Sequence, residues 1–86
     1  MAKSFIFENN IMVNIFGNFG ELNSFIITIA HVRQIIRGLH VVTIFDTKGK
    51  KYSFECSGTT RFIVDGFEHQ ALNNAYAELE EEMKNL

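Results

Sequence analysis

The chain has no proline and no tryptophan, a single cysteine (Cys56), and no purely apolar run longer than four residues. One cysteine excludes a disulfide framework. The short apolar runs exclude a membrane-spanning helix, which needs about 20 such residues. The opening MAKSFIFENN has no apolar segment followed by a small-residue cleavage site, so no secretory signal is expected. Charge of one sign is also lacking. Eight Lys and Arg stand against ten Asp and Glu, a formal charge of -2. No global positive field therefore draws the chain to nucleic acid or anionic lipid. The Gly-Lys-Ser/Thr phosphate loop, the G-x-S-x-G elbow and the G-x-G-x-x-G turn are all missing. The expectation is a cytoplasmic protein, not an enzyme, with no cofactor.

What is present is ordinary globular material: 86 residues, 47% hydrophobic and 21% charged. That makes one domain, 1–86, and excludes a disordered chain. With proline absent, six glycines punctuate short runs rich in Phe, Ile and Val, which is strand composition. Ser4–Glu8 and Ile11–Phe16 read as two strands, with Asn9-Asn10 as a hairpin loop, because Asn tolerates positive φ. Gly17–Glu21 reads as a loop and Leu22–Ala30 as a third strand. Residues 31–37 fit two readings. Val32, Ile35, Ile36 and Leu39 match a helical template, with Gly38 as C-cap. The density of β-branched residues tips the balance to strand.

The clearest hairpin joins Leu39–Asp46 to Lys50–Ser57 through Asp46-Thr47-Lys48-Gly49-Lys50, with Gly49 in the left-handed position. Its register places Ile44 opposite Tyr52, Val42 opposite Phe54 and His40 opposite Cys56. Phe45 then faces Lys51, Thr43 faces Ser53 and Val41 faces Glu55. A slip of one residue would mix the apolar and polar faces, so this register is well specified. Residues 61–64 read as a last short strand. Asp65 and Glu68 have capping-box spacing, and Leu72, Tyr76, Leu79, Met83 and Leu86 form one apolar stripe. The fold expected is α+β. A mainly antiparallel sheet or partly open barrel of five to seven short strands (β part 3–64) is closed by one C-terminal amphipathic helix, 66–85.

Candidate sites are few. Cys56 beside His40 is the pair a thiolate nucleophile needs, but a cysteine on an apolar face is more often a small buried hydrophobe. His31, His40, His69 and Cys56 lack zinc-ligand spacing. No catalytic or metal residue is therefore assigned. Arg33, Arg37, Lys48, Lys50, Lys51 and Arg61 form a mildly basic set for nucleic acid or a nucleotide-like ligand. Phe19, with Asn18 and Glu21, is the candidate partner contact, an aromatic between glycines in a polar loop. The first three strands are apolar on both faces, and one helix covers one face only. The surplus predicts a homo-oligomer.

The order of short strands, a D-x-x-G-K-x-Y hairpin at Asp46–Tyr52 and a closing helix at Leu72–Met83 resembles small bacterial and phage pleckstrin-homology-like domains. The resemblance covers about residues 25–86 and carries no ligand residue across. It implies a binding or assembly scaffold of bacterial or phage origin.

Overall fold

The computed structural model describes residues 2–19 and 23–85, without the side chains of Asn9, Asn18, Phe19, Asn23, Ser24 and Phe25. It has six strands and one helix in the order β1 Ala2–Phe19, β2 Asn23–Gly38, β3 Val41–Asp46, β4 Lys51–Glu55, β5 Arg61–Val64, β6 Phe67–Glu68 and α1 Gln70–Lys84. The strands form one open antiparallel sheet, ordered β4-β3-β2-β1-β5-β6. The α+β class is as the sequence predicts, but two of the strands are long.

β1 is a single strand of 18 residues. Asn9-Asn10 is not a hairpin turn. Ile6 pairs with Gln34 and Ile11 with Val32, so β1 carries extra residues where its partner carries few. This is a bulge, where the strand bends without ending. Residues 17–19 are likewise strand rather than loop, with Gly17 opposite Phe25, Asn18 opposite Ser24 and Phe19 opposite Asn23. Continuous pairing along β2 overrides both local turn signals. Residues 31–37 are strand, and β2 runs from Asn23 through to Gly38. It slips twice, at His31, whose φ is 55°, and between Val32 and Gln34.

The β3–β4 hairpin has the register read from the sequence at all five strand pairs, Val41–Glu55 to Phe45–Lys51. Gly49 has φ 85°, and Asp46 holds the turn: its Oδ1 accepts from Lys48 N at 2.9 Å and Lys50 N at 2.8 Å.

Asp65 does not cap the helix. With Gly66 it forms a two-residue turn at φ 49° and 83° between β5 and β6, the geometry that matches strand twist. Asp65 also stitches β5 to β1, its Oδ1 accepting from Met12 N at 3.0 Å. α1 begins at Gln70, capped by His69, whose Nδ1 accepts from Leu72 N at 3.2 Å. The helix buries Leu72, Ala75 and Leu79. Met83, placed by the sequence in the buried stripe, is exposed. Leu86 lies outside the described residues.

Among the β1 side chains described, odd-numbered ones point inward and even-numbered ones outward. Val13, Ile15, Ile29, Val32, Ile35, Val42, Ile44, Cys56 and Phe62 form the inner face, and Leu72 of α1 packs into them. Polar contacts fix the helix on this face. Asn73 Oδ1 accepts from Phe62 N at 2.6 Å, and Lys3 Nζ pairs with Glu78 at 3.1 Å and Glu82 at 3.5 Å. The acidic helix is thus partly neutralised by the strand beneath it.

Candidate functional site

The outer face of the sheet has no element over it among the described residues. Ile6 is 75% exposed, Ile26 68% and Met12 47%. Half-buried Phe16, Ile36, Phe45 and Ile63 share that face. Phe16 lies opposite both Ile26 and Arg61, and Phe45 opposite both Gln34 and Lys51. Polar pairs run between the apolar positions. Gln34 Nε2 donates to Ser4 Oγ at 2.8 Å, and Thr28 Oγ1 donates to Asn14 Oδ1 at 2.7 Å. These cross-strand bonds hold the surface in one geometry.

The structure does not bring the six basic residues together. Lys48 and Lys50 sit at the β3–β4 turn and Lys51 opens β4. Arg33 is exposed on β2, and Arg61 on β5 is ion-paired with Glu68. Arg37 faces the other way. It pairs with Lys3 and Val42 on the inner face and is fully buried, so it cannot meet a ligand docked outside. Its Nη2 donates to Ser57 O at 2.6 Å, while Phe62 and Tyr76 flank its guanidinium at 5.5 and 5.4 Å. Nε and Nη1 are buried with no partner. Burial lowers the pKa of this guanidinium, opposed by Cys56 and Tyr76.

Of the proposed partner contact, Asn18 and Phe19 have a β1 backbone with undescribed side chains, and Glu21 lies outside the described residues. Cys56 is buried, its Sγ 3.8 Å from Gly38 O. Burial pushes its thiol pKa up, with Arg37 opposing, which is the reverse of an activated nucleophile. His40 meets Cys56 through the backbone, Cys56 N donating to His40 O at 2.9 Å. The imidazole of His40 instead lies edge-on to Tyr76 at 6.4 Å. His31 bonds Asn10, and His69 touches Phe5 and Phe7. Among the described residues no three His, Cys, Asp or Glu side chains are placed to hold a metal.

One feature is absent from the sequence reading. A half-open cleft of about 250 Å³ lies between the β2 bulge and the β3–β4 turn. Thr28, Ile29, Ala30, His31, Asp46, Thr47, Lys48 and Tyr52 line it. Thr47 N donates to His31 O at 2.8 Å, tying the turn to the bulge. Tyr52 Oη donates to Asp46 Oδ2 at 3.5 Å, and Lys50 Nζ sits 5.0 Å from the Tyr52 ring centre. Of its lining residues the sequence reading names Lys48 as a ligand candidate, and His31 is held from outside the cleft by Asn10, whose Oδ1 accepts from His31 Nδ1 at 3.0 Å. No helix among the described residues is long and apolar enough to cross a membrane. Neither a protein-family model, nor a curated protein, nor a solved structure matches this chain.

Proposed function

We propose that the chain is a non-enzymatic assembly module that associates with further copies of itself through the outer face of its sheet. The observation that supports this is the exposure of Ile6 and Ile26, at 75% and 68%, on the face opposite α1. Soluble monomers seldom leave this many large apolar side chains uncovered on one sheet face. A second copy suits the surface better than a strongly charged partner does. Lys51 and Arg61 stand there with Glu55 and Glu68, so the face carries both signs, as a surface that meets its own copy across a two-fold axis needs. The polar pairs Ser4–Gln34 and Asn14–Thr28 supply a rigid, already satisfied frame around the aliphatic contacts. A scaffold role also agrees with what the pleckstrin-homology-like resemblance implies.

Sedimentation of the wild type and of Ile26→Lys tests the reading. The wild type is expected to sediment as a multiple of 9.9 kDa. The variant is expected to fall to the monomer with its circular dichroism unchanged. Equal sedimentation of both as an oligomer would place the interface elsewhere, and a monomeric wild type would refute the reading.

A further inference from the structure

We infer that the free edge of β4 pairs with the same edge of a second copy, antiparallel, about a two-fold axis at Ser53. This contact is separate from the outer-face contact and does not rest on it. β4 and β6 are the edges of the open sheet. β6 holds only Phe67 and Glu68 before α1 begins, so it offers almost no ladder. β4 offers the unbroken run Lys51–Glu55. Edges are commonly blunted by proline or a bulge, and β4 has neither. Lys51, Ser53 and Glu55 are exposed.

The ladder to β3 decides which backbone groups are free. Asp46 N donates to Lys50 O at 3.0 Å, and Cys56 N donates to His40 O at 2.9 Å. Bonded pairs recur at every second residue of an antiparallel ladder. Tyr52 and Phe54 therefore direct their N–H and C=O groups at β3, and those of Lys51, Ser53 and Glu55 point away from the sheet. An added antiparallel strand can use all of these outward groups.

The order Lys51-Tyr52-Ser53-Phe54-Glu55 is complementary to its own reverse. With Ser53 opposite Ser53 of the second copy, Lys51 lies opposite Glu55 and Tyr52 opposite Phe54, in both directions. Every outward-facing residue then meets another, so each amide and carbonyl of the free edge finds a partner. Lys51 and Glu55 make no ion pair within the chain among the described residues. Opposite charges and aromatic pairs directly across a ladder both stabilise it. A slip of two residues sets Lys51 opposite Ser53 and leaves Glu55 beyond the partner strand. A slip of four sets Lys51 against Lys51, or Glu55 against Glu55. Only the register at Ser53 satisfies backbone and charge together. A strand of 5 residues buries little area, so the contact is weak. It forms at high protein concentration, or between chains already gathered by the outer face.

The test uses ¹⁵N-labelled Ile26→Lys protein, in which the outer-face contact is removed. It is diluted from about 1 mM to about 20 µM, the range over which a weak contact dissociates. The amide shifts of Lys51, Ser53 and Glu55 are expected to follow one dimerisation curve. In a mixture of ¹³C-labelled and unlabelled chains, the α-protons of Tyr52 and Phe54 are expected to touch between copies, which fixes the register. Lys51→Glu sets like charges together twice in each dimer and is expected to weaken it about tenfold. Adding Glu55→Lys is expected to restore it. Ser53→Pro removes the central donor on the side away from β3, where an edge tolerates proline, and is expected to abolish the dimer. The proposal is overturned if these amides do not move with concentration. It is also overturned if the double variant dimerises as weakly as Lys51→Glu alone. A monomeric wild type, which refutes the outer-face reading, leaves this test intact, with the wild type diluted in place of Ile26→Lys.

Discussion

Arg37 is the residue whose replacement reports most on how this fold is held. Its guanidinium is fully buried between sheet and helix with Nε and Nη1 unpartnered. Each orphaned buried donor costs about 1–3 kcal/mol, more when the group is charged. Against that stand one bond to Ser57 O and contacts with the Phe62 and Tyr76 rings. The bond contributes about 1.5–3 kcal/mol and a desolvated cation–ring contact about 2. Gains and costs are therefore close, and what remains is the desolvation of the charge itself. Apolar side chains of similar volume in place of buried charges are often neutral or stabilising by about 1–4 kcal/mol. Arg37→Met keeps a long flexible side chain in the slot and removes charge and orphans together. It is expected to stabilise the protein by about 1–2 kcal/mol, the lower part of that range, because the ring contacts are partly lost. Arg37→Ala removes the same charge but leaves a void, and is expected to destabilise by about 2 kcal/mol or more. Urea denaturation followed by circular dichroism measures both, with an unchanged slope confirming that the midpoint alone has moved. If Arg37→Met lowers the midpoint as far as Arg37→Ala does, the guanidinium is satisfied in solution and the argument from its orphaned donors fails.

Leu79→Ala is expected to cost about 2–5 kcal/mol, because Leu79 is buried on the sheet-facing side of α1. Met83→Ser, one turn on, is expected to change stability by less than about 0.5 kcal/mol, because Met83 is exposed; chemical denaturation compares the two. Gly66→Ala places a Cβ on a residue at φ 83° and is expected to cost about 1–2 kcal/mol. Its thermal midpoint is expected to fall by several degrees. Cys56 gives a pH dependence. Burial raises its folded-state pKa, so above the ordinary thiol range, about pH 8.5, the unfolded chain loses its proton first. Stability is therefore full below that range and falls as pH rises through it, and Cys56→Ala is expected to flatten this part of the stability–pH profile.

Much of the fold was legible where one strand face was apolar and the other polar. The β3–β4 register follows from that sorting, and Gly49 marks its turn. β1 was harder to read. Asn9-Asn10 and Gly17 look like ends of strands, yet β2 pairs on both sides of the bulge and carries the strand through. Local turn chemistry lost there to long-range pairing. At Asp65-Gly66 the opposite happened. Asp-Gly between two apolar stretches is a hairpin signal, and it was outweighed by the capping-box spacing of Asp65 and Glu68. Arg37 shows how a residue's type misleads about its side. It shares the inward alternation of Ile35, which matters more for its place than its charge does. The doubly apolar β1 and β2 were visible at once, and the uncovered outer face is their consequence. The cleft was not visible, because it depends on the φ of His31 and on a turn 15 residues later docking against it.

The account rests on copies meeting through the outer face, and a mixed-label methyl experiment tests that contact directly. Chains with ¹³C-labelled Ile and Met methyl groups are mixed with unlabelled chains, refolded together, and examined for contacts between copies. The expected result is intermolecular signal at the methyl groups of Ile6, Met12 and Ile26, with none at the buried Ile15, Ile35 and Ile44. Intermolecular contacts missing from all three exposed methyls, with a solution mass of 9.9 kDa, would contradict it.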